Sequence, residues 1–346
     1  MNRPGSVQPL RPPVPQVRDT GPRPFWSVMI PTYHCARYLA QTLRSVLDQD
    51  PGEDTMEIVV VDDHSVLDDP EAVVRRVAGE RVRFVRREHN GGHVATFNTC
   101  LTVARGRWVH ILHGDDWVLP GFYAAATAVA SGHPEVGAVI CRYQRWDEAT
   151  ARMHAASPLQ DEAGVLRDWA ERLGARQRLQ APSIVVRRDI YESVGGFDTG
   201  LRGYGEDWEM WLRVAVATSV WWHPEALAVY RVRPGSLSDR TRLRSNVADM
   251  RRVIALTSMT LADHLPPKRI AATQREARRS FALALVRRAR RALADGDRRA
   301  PWDVLREAIL LWPRGDTAAA GLRLVVKWAY AVLGHGARGG DARTQV

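Results

Sequence analysis

Lysine is almost missing from this 346-residue chain: Lys268 and Lys327 are the only two, so the net charge of +10 is carried almost wholly by arginine. Cysteine is scarce as well. Cys35, Cys100 and Cys141 are odd in number, far apart and never at metal-ligand spacing, which excludes a disulfide framework and a zinc module and leaves buried free thiols. Long apolar runs are lacking too. The longest, such as residues 57–61, are strand-length, whereas a bilayer-spanning helix needs ~20 apolar residues. The start of the chain has no apolar centre of the kind a secretory signal requires. Instead Pro4, Pro9, Pro12, Pro13, Pro15, Pro22 and Pro24 stand among Arg, Gln and Gly, a composition that buries too little surface to offset its ordering entropy. Residues 1–24 are therefore expected to form a disordered leader, and the chain is expected to be cytoplasmic.

What is present is a regular alternation of apolar runs and helical patterns. Strands are expected at residues 26–30, 57–61, 82–85, 108–112, 136–141 and 182–186, with helices at 36–47, 70–78, 95–104 and 120–130. The runs are continuously apolar, as in strands covered on both faces, which predicts an α/β fold with a mostly parallel sheet flanked by helices. The polar stretch 142–180 interrupts the rhythm, with one helix expected near 164–173. Beyond it come a helix at 205–217 and two short strands at 219–222 and 227–232. Long helical patterns then run through 242–264, 268–294, 302–311 and 319–333, the signature of a C-terminal helical appendage. The expected organisation is thus the leader, a core domain over 25–238 with halves 25–141 and 142–238, a basic appendage over 239–335 and a frayed tail over 336–346.

Ligands of open α/β sheets bind beyond the carboxyl ends of the strands, so the residues that follow each strand carry the candidate chemistry. After the first strand, Pro31, Thr32 and Tyr33 offer a hydroxyl and a ring able to stack on a base. After the second, Asp62 and Asp63 can accept from a base N–H or from ribose hydroxyls, or can cap the next helix. After the third, Asn90-Gly91-Gly92-His93 opens a helix, where glycines let backbone amides approach an anion, or simply turn the chain. After the fourth, His113 precedes Asp115 and Asp116. Two adjacent carboxylates repel each other unless a cation relieves them, and Mn2+ or Mg2+ suits carboxylates together with diphosphate oxygens; helix capping is the alternative. Further on, Glu206 and Asp207 stand at the start of a helix, whose dipole favours the ionised carboxylate that a general base needs. Arg233, at the end of the last strand, suits a leaving diphosphate.

Taken in order, Ile30-Pro31-Thr32-Tyr33, Val61-Asp62-Asp63-His64-Ser65, Asn90-Gly91-Gly92, Asp115-Asp116, and Gly195-Gly196-Phe197-Asp198 ahead of Glu206-Asp207 resemble the motifs of family 2 glycosyltransferases over residues 26–238. The resemblance implies a glycosyltransferase A-type fold, a Rossmann-like nucleotide-diphospho-sugar transferase core. It implies inverting transfer of a sugar from a nucleotide-diphosphate sugar to an acceptor hydroxyl, in the biosynthesis of bacterial cell-surface polysaccharide, glycolipid or glycoconjugate. By the same resemblance Thr32, Tyr33, Asp62 and Asp63 contact the nucleotide, Asp115 and Asp116 hold ribose, diphosphate and metal, and Asp207 is the catalytic base. The chain departs from the family pattern twice. His113 stands where an aspartate is common, and can ligate a metal, contact the donor or pack. Arg233 lies in a segment that often holds a histidine, and can stabilise diphosphate directly and lessen the dependence on metal.

The stretch 142–180 and Gln180-Ala181-Pro182-Ser183 are expected to shape the site of a glycan, lipid-linked or small-molecule acceptor, with Ser183 and Trp208 as contacts. In the appendage, Leu322, Val325, Val326, Ala329, Val332 and Leu333 form an apolar surface beside Arg323 and Lys327. Such a helix either packs on the core or lies on the inner face of the cell membrane. The arginines between Arg278 and Arg299 are a further anionic-surface candidate or a solvated face; without zinc spacing or a recognition module, no specific nucleic acid is expected. Two other readings share the core. A nucleotidyltransferase calls for a glycine-rich triphosphate loop where this chain has Pro31-Thr32-Tyr33, and a non-catalytic nucleotide-sugar-binding protein has no need of both acidic pairs.

Overall fold

The computed structural model describes residues 7–18, 21–233, 243–294, 300–314, 319, 321 and 323. They fall into two compact units that divide after Leu265, with 174–176 grouped in the second.

The first unit is built on one sheet. Strands β1 (Trp26–Thr32), β2 (Met56–Asp62) and β3 (Arg83–Arg86) pair in parallel, and β4 (Trp108–Ile111) joins the other side of β1, also in parallel. Val28, Ile30, Ile58 and Val60 are buried together with Leu39, Leu43 and Val46 of helix α1 (Ala36–Leu47), a stripe at i, i+4 and i+7 that faces the sheet. Helix α2 (Pro70–Ala78) starts where Asp69 accepts the Ala72 amide and Pro70 occupies a first-turn position that needs no N–H donor. Helix α3 (His93–Val103) precedes β4.

Past β4 the order in the sheet is β3-β2-β1-β4-β9-β6-β10-β5, with β5 (Trp117–Val118), β6 (Val136–Asp147), β9 (Ile184–Arg187) and β10 (Ser219–Val232). Strand β9 is antiparallel to both β4 and β6, and β5 is antiparallel to β10, so the sheet is mixed, with its longer ladders parallel. Apolar content predicts that a strand exists; its direction depends on where the connecting segment delivers the chain. Helix α4 (Phe122–Gly132) lies between β5 and β6 in the chain. The connection from β6 to β9 holds the edge strands β7 (Arg152–Ala155) and β8 (Gly164–Val165), the short helix α5 (Trp169–Ala175) and a 3-10 turn at Ala181–Ser183. The two short strands expected at 219–222 and 227–232 are one strand, β10, with register shifts between His223 and Ala228. Pro224, which has no N–H for the ladder, falls in that irregularity. Helices α6 (Arg188–Val194) and α7 (Glu206–Ala217) bracket the loop that leads to the second acidic pair.

Residues 7–18 are not the free leader that their composition suggests. The Gly196 amide donates to the Pro12 carbonyl (2.7 Å), the Thr199 amide to the Leu10 carbonyl (2.9 Å) and Arg188 to the Pro15 carbonyl (2.8 Å), while Val14 is buried. A proline-rich strap leaves few amides of its own to satisfy, and its carbonyls accept from a distant segment that composition alone does not show. Helix α8 (Leu243–Leu261) also belongs to the first unit.

The second unit contains helices α9 (Pro267–Ala294) and α10 (Ala300–Leu311), which pack against each other and bury Phe281, Leu285, Val304 and Leu305. The apolar surface expected over 322–333 and the tail over 336–346 lie outside the described residues, save Arg323. Among the described residues no helix is long and apolar enough to cross a membrane.

Candidate active site

The turn after β4 is sewn to the end of β1. The Gly114 amide donates to the Pro31 carbonyl (3.0 Å), and a side chain on Gly114 would meet the Cys35 sulfur and the Pro31 carbonyl at 3.0 and 3.2 Å. Thr42 of α1 donates to the carbonyls of Gly114 (3.1 Å) and Asp116 (2.7 Å). Asp116 is thereby pinned at 1% exposure, with one carboxylate oxygen accepting the Arg231 amide at 2.8 Å. Its other oxygen, Oδ2, is buried with no hydrogen-bond partner, and so is Nε2 of His113. Asp115 accepts from Arg233 at 2.8 Å, and its carbonyl accepts from Arg231 at 2.8 Å. Arg231 is held over the rings of Tyr38 and Trp117, 4.6 and 4.7 Å from their centres, and donates to Gln41.

His113, Asp115 and Asp116 each present one ligand atom, all within 4.8 Å of one another. Burial, then the charge of Asp115, pushes the Asp116 carboxyl well above the usual carboxylate range, and burial pushes the His113 ring down. The unpartnered Asp116 Oδ2, 3.8 Å from Nδ1 of the His113 ring and beside a second carboxylate, fits a divalent cation. The sequence expectation named Asp115 and Asp116 for this role and left His113 between metal, donor and packing; the structure groups its ring with the two carboxylates.

At the ends of β2 and β3 the picture differs from the sequence expectation. Asp62 is fully buried and accepts from the Ser65 amide (3.0 Å), the Ser65 hydroxyl (2.6 Å) and Arg86 (3.0 Å). Asp63 accepts from Arg87 and from the amides of Gly91 (3.0 Å) and Gly92 (2.9 Å), and the Asn90 side chain donates to its carbonyl. The anion that occupies the glycine turn is therefore Asp63 itself. The register that sets Asp62 opposite Arg86 brings in arginines that no local motif announces. Pro31 and Thr32 are buried, with the Thr32 hydroxyl against the Cys35 sulfur at 2.9 Å, whereas Tyr33 is 46% exposed and lies over His34.

The second acidic pair begins α7. Gly205 enters the helix in the left-handed region (φ +86°), and Glu206, Asp207 and Glu209 fill the first turn. Glu206 lies 3.2 Å from His93 at the start of α3. Burial opposes the charge on both partners, yet their mutual attraction prevails: His93 is raised and Glu206 lowered from their ordinary values. Asp207 accepts the Trp208 amide (2.7 Å) and the Gln177 side chain (2.9 Å). Burial, then the charge of Glu206, pushes its carboxyl up to about 7. This reverses the expectation that the helix dipole favours the ionised form. The dipole falls off within the first turn and is worth ~0.3–1 kcal/mol at the surface, too little to offset desolvation and a neighbouring carboxylate.

Phe97 joins the two clusters. Its ring stacks on His113 (5.1 Å, 10°), meets His93 edge-on (5.6 Å) and touches Phe197 (5.2 Å). His93 in turn lies 3.2 Å from Glu206, so the two acidic pairs flank one aromatic ring. The two expected acceptor contacts are not part of this cluster. Trp208 is 3% exposed and donates to the Leu173 carbonyl (2.6 Å), and Ser183 is fully buried and donates to the Gln180 carbonyl (2.8 Å). Both face the core, because a helix-start tryptophan and a 3-10-turn serine follow the packing of their elements rather than the motif beside them. Residues that sequence reasoning passed over are Gln177, Phe97 and Arg231. Arg231 alone left a signal, a charge inside the apolar run 227–232.

The Glycosyl transferase family 2 model matches residues 27–194. The succinoglycan biosynthesis protein ExoO of Rhizobium meliloti is 30% identical over 64% of this chain; the chain spans 64% of that relative, just under two thirds of its length. Among solved structures, S. aureus TarS 1-349 in complex with UDP-GlcNAc superposes with a TM-score of 0.58 at 17% identity, covering 89% of this chain and 92% of that one. The mannosyltransferase PcManGT from Pyrobaculum calidifontis, in complex with GDP-Man and Mn2+, gives a TM-score of 0.53 at 22% identity over 96% of this chain and 84% of its own. At these identities the structural likeness establishes the fold, a glycosyltransferase A-type fold with a mixed sheet.

Proposed function

From the match of the Glycosyl transferase family 2 model over residues 27–194, we propose that the chain is a glycosyltransferase of that family and moves a sugar from a nucleotide-diphosphate sugar to an acceptor hydroxyl with inversion at the anomeric carbon. The observation that carries this reading is Asp207, a carboxyl raised to about 7, in the same site as the His113, Asp115 and Asp116 set. A base whose pKa lies near the working pH combines an available ionised form with a strong pull on the proton. In the proposed step Asp207 takes the acceptor proton as that oxygen attacks the anomeric carbon from the face opposite the nucleotide. One displacement without a covalent intermediate inverts the configuration.

Negative charge then grows on the leaving diphosphate. Arg233, paired with Asp115 and only partly buried, is placed to turn toward it, while Arg231 holds the turn that carries both aspartates. A divalent cation held by His113, Asp115 and Asp116 would supply Lewis-acid stabilisation of that diphosphate. The exposed Tyr33 ring offers a stacking surface for the base, and Asp62 and Asp63 build the pocket walls by fixing Ser65, Arg86, Arg87 and the 90–92 turn. The UDP-GlcNAc complex of TarS and the GDP-Man and Mn2+ complex of PcManGT support a nucleotide-sugar donor and a metal. The name of ExoO supports a role in polysaccharide biosynthesis, with a glycan or lipid-linked acceptor. Exposed Arg275, Arg278, Arg279, Arg287 and Arg290 on α9 support peripheral contact with the inner face of the membrane.

The test is a panel of UDP-, GDP- and TDP-sugars, with Mn2+ or Mg2+ and without, assayed for nucleotide release by wild type and Asp207→Asn. The variant should lose ~10²–10⁴-fold in turnover with nucleotide binding retained. Turnover within a few-fold of wild type removes Asp207 as the base.

A further inference from the structure

Helix α8 lies beyond every motif named above, yet one of its faces meets the backbone that leads to the acidic pair. Asp249 is 8% exposed, and its Oδ2 accepts from three successive amides, those of Arg202 (3.3 Å), Gly203 (2.7 Å) and Tyr204 (3.1 Å). Consecutive amides turned onto one point form an anion-binding nest, and here a side chain from another helix fills it. Three residues on, Arg252 donates to the buried Asp198 carboxylate (2.9 Å) and to the Gln8 carbonyl of the strap (2.7 Å). Its guanidinium lies 2.6 Å from where a Cβ on Gly200 would stand. Val253 sits in the same way against Gly205, with its methyl 2.7 Å from the Cβ position. Residues 249, 252 and 253 are spaced i, i+3 and i+4, a single helix face. Loop 198–205 is thus moulded onto α8, and the next two residues are Glu206 and Asp207.

The loop needs such a mould. Gly200, Gly203 and Gly205 give it wide backbone freedom when unrestrained. Its upstream end is already held, since Asn98 both donates to the Phe197 carbonyl (3.0 Å) and accepts the Phe197 amide (2.8 Å). Between that clamp and α7, the three amides on Asp249 lie only a few residues ahead of Asp207.

We propose that Asp249 is a positioning residue for glycosyl transfer: by gathering the amides of residues 202–204 it sets where α7 begins and hence where the Asp207 carboxylate meets the acceptor oxygen. This rests on Asp207 acting as the base. A displacement of ~1 Å at a reacting group costs on the order of 10²-fold in rate. The hydrogen bonds of Asp249 go to the loop rather than to His113, Asp115, Asp116 or Arg233, and its charge reaches the site only at His93, beside Glu206, so donor affinity is expected to stay unchanged.

The full-length chain is compared as wild type, Asp249→Ala, Asp249→Asn and Asp207→Asn. Hydrogen exchange over residues 198–205, UDP and GDP affinity, and kcat and KM for a nucleotide sugar that is turned over are measured. Asp249→Ala is expected to speed exchange at 202–204 by at least about tenfold and to lower kcat by about 10²-fold, with KM and nucleotide affinity within about twofold. Asp249→Asn, which keeps an acceptor oxygen, recovers part of both effects, and it carries the comparison if the alanine variant does not fold. Unchanged exchange at 202–204, or a loss of nucleotide affinity matching the loss in kcat, overturns the proposal. Normal turnover by Asp207→Asn would remove the base instead, and the exchange result would still decide whether Asp249 anchors the loop.

Discussion

Replacing Asp207 with asparagine tests the electrostatics of the site through stability rather than rate. Burial, then the Glu206 charge, lifts this carboxyl from 3.8 to about 7. At ~1.36 kcal/mol for each tenfold in proton affinity, that rise is about 4 kcal/mol between its two protonation states. The folded chain binds the proton more tightly than the unfolded chain, so this group's contribution to stability is fully present below ~4, declines as pH rises, and is lost above about 7. Asparagine does not titrate. The environment also suits it: Gln177 donates its amide nitrogen to Asp207, while its Oε1 is buried without a hydrogen-bond partner, so a turned Gln177 accepts from the amide of the introduced asparagine. Asp207→Asn should therefore match wild-type stability near pH ~4.5 and exceed it at about pH 8. The ceiling is about 4 kcal/mol, reduced as the loop relaxes and admits water. Thermal unfolding of both proteins in metal-free buffer, from about pH 4.5 to about pH 8, reads this as a melting-temperature difference that opens with pH. Two parallel curves would refute the raised carboxyl and, with it, the argument for a base tuned to neutral pH.

Two more outcomes follow from the same geometry. Gly205→Ala places a Cβ 2.7 Å from Val253 at a φ of +86°, and should cost about 1–3 kcal/mol in thermal unfolding; an unchanged melting temperature would show that the loop does not need this contact with α8. Asp116→Asn should weaken Mn2+ binding in the presence of UDP by at least about tenfold in calorimetry, whereas equal affinity would remove Asp116 from the metal set.

Much of the scaffold was legible from local pattern. Helices α1 and α2 lie where their apolar spacing places them, since a 3.6-residue stripe and a proline-opened first turn are properties of a few neighbouring residues. The sequence also named candidate residues at the ends of β4 and β10 and at the start of α7, because ligands of such sheets gather at strand ends. The acceptor residues were not. Trp208 and Ser183 stand next to functional motifs in sequence, but the rotation of α7 and the 3-10 turn points both inward.

The sequence by itself determined the resemblance to family 2 glycosyltransferases, most of the succession of core strands and helices, and the place of the acidic pairs, all of which depend on residue type and short-range spacing. Tertiary structure decided the rest, because it depends on groups distant in the chain. The direction of β9 follows from where a long excursion returns. Asp62 and Asp63, which the motif alone assigns to a nucleotide, are held by Arg86 and Arg87 on the neighbouring strand and turn. The strap of residues 7–18 gains order from amides and a guanidinium group more than a hundred residues away, on Arg188, Gly196 and Thr199. Asp207 shows the difference most directly. Its place at a helix start and its neighbour Glu206 were visible in the sequence, but its proton affinity was set first by burial, which only the folded chain brings about.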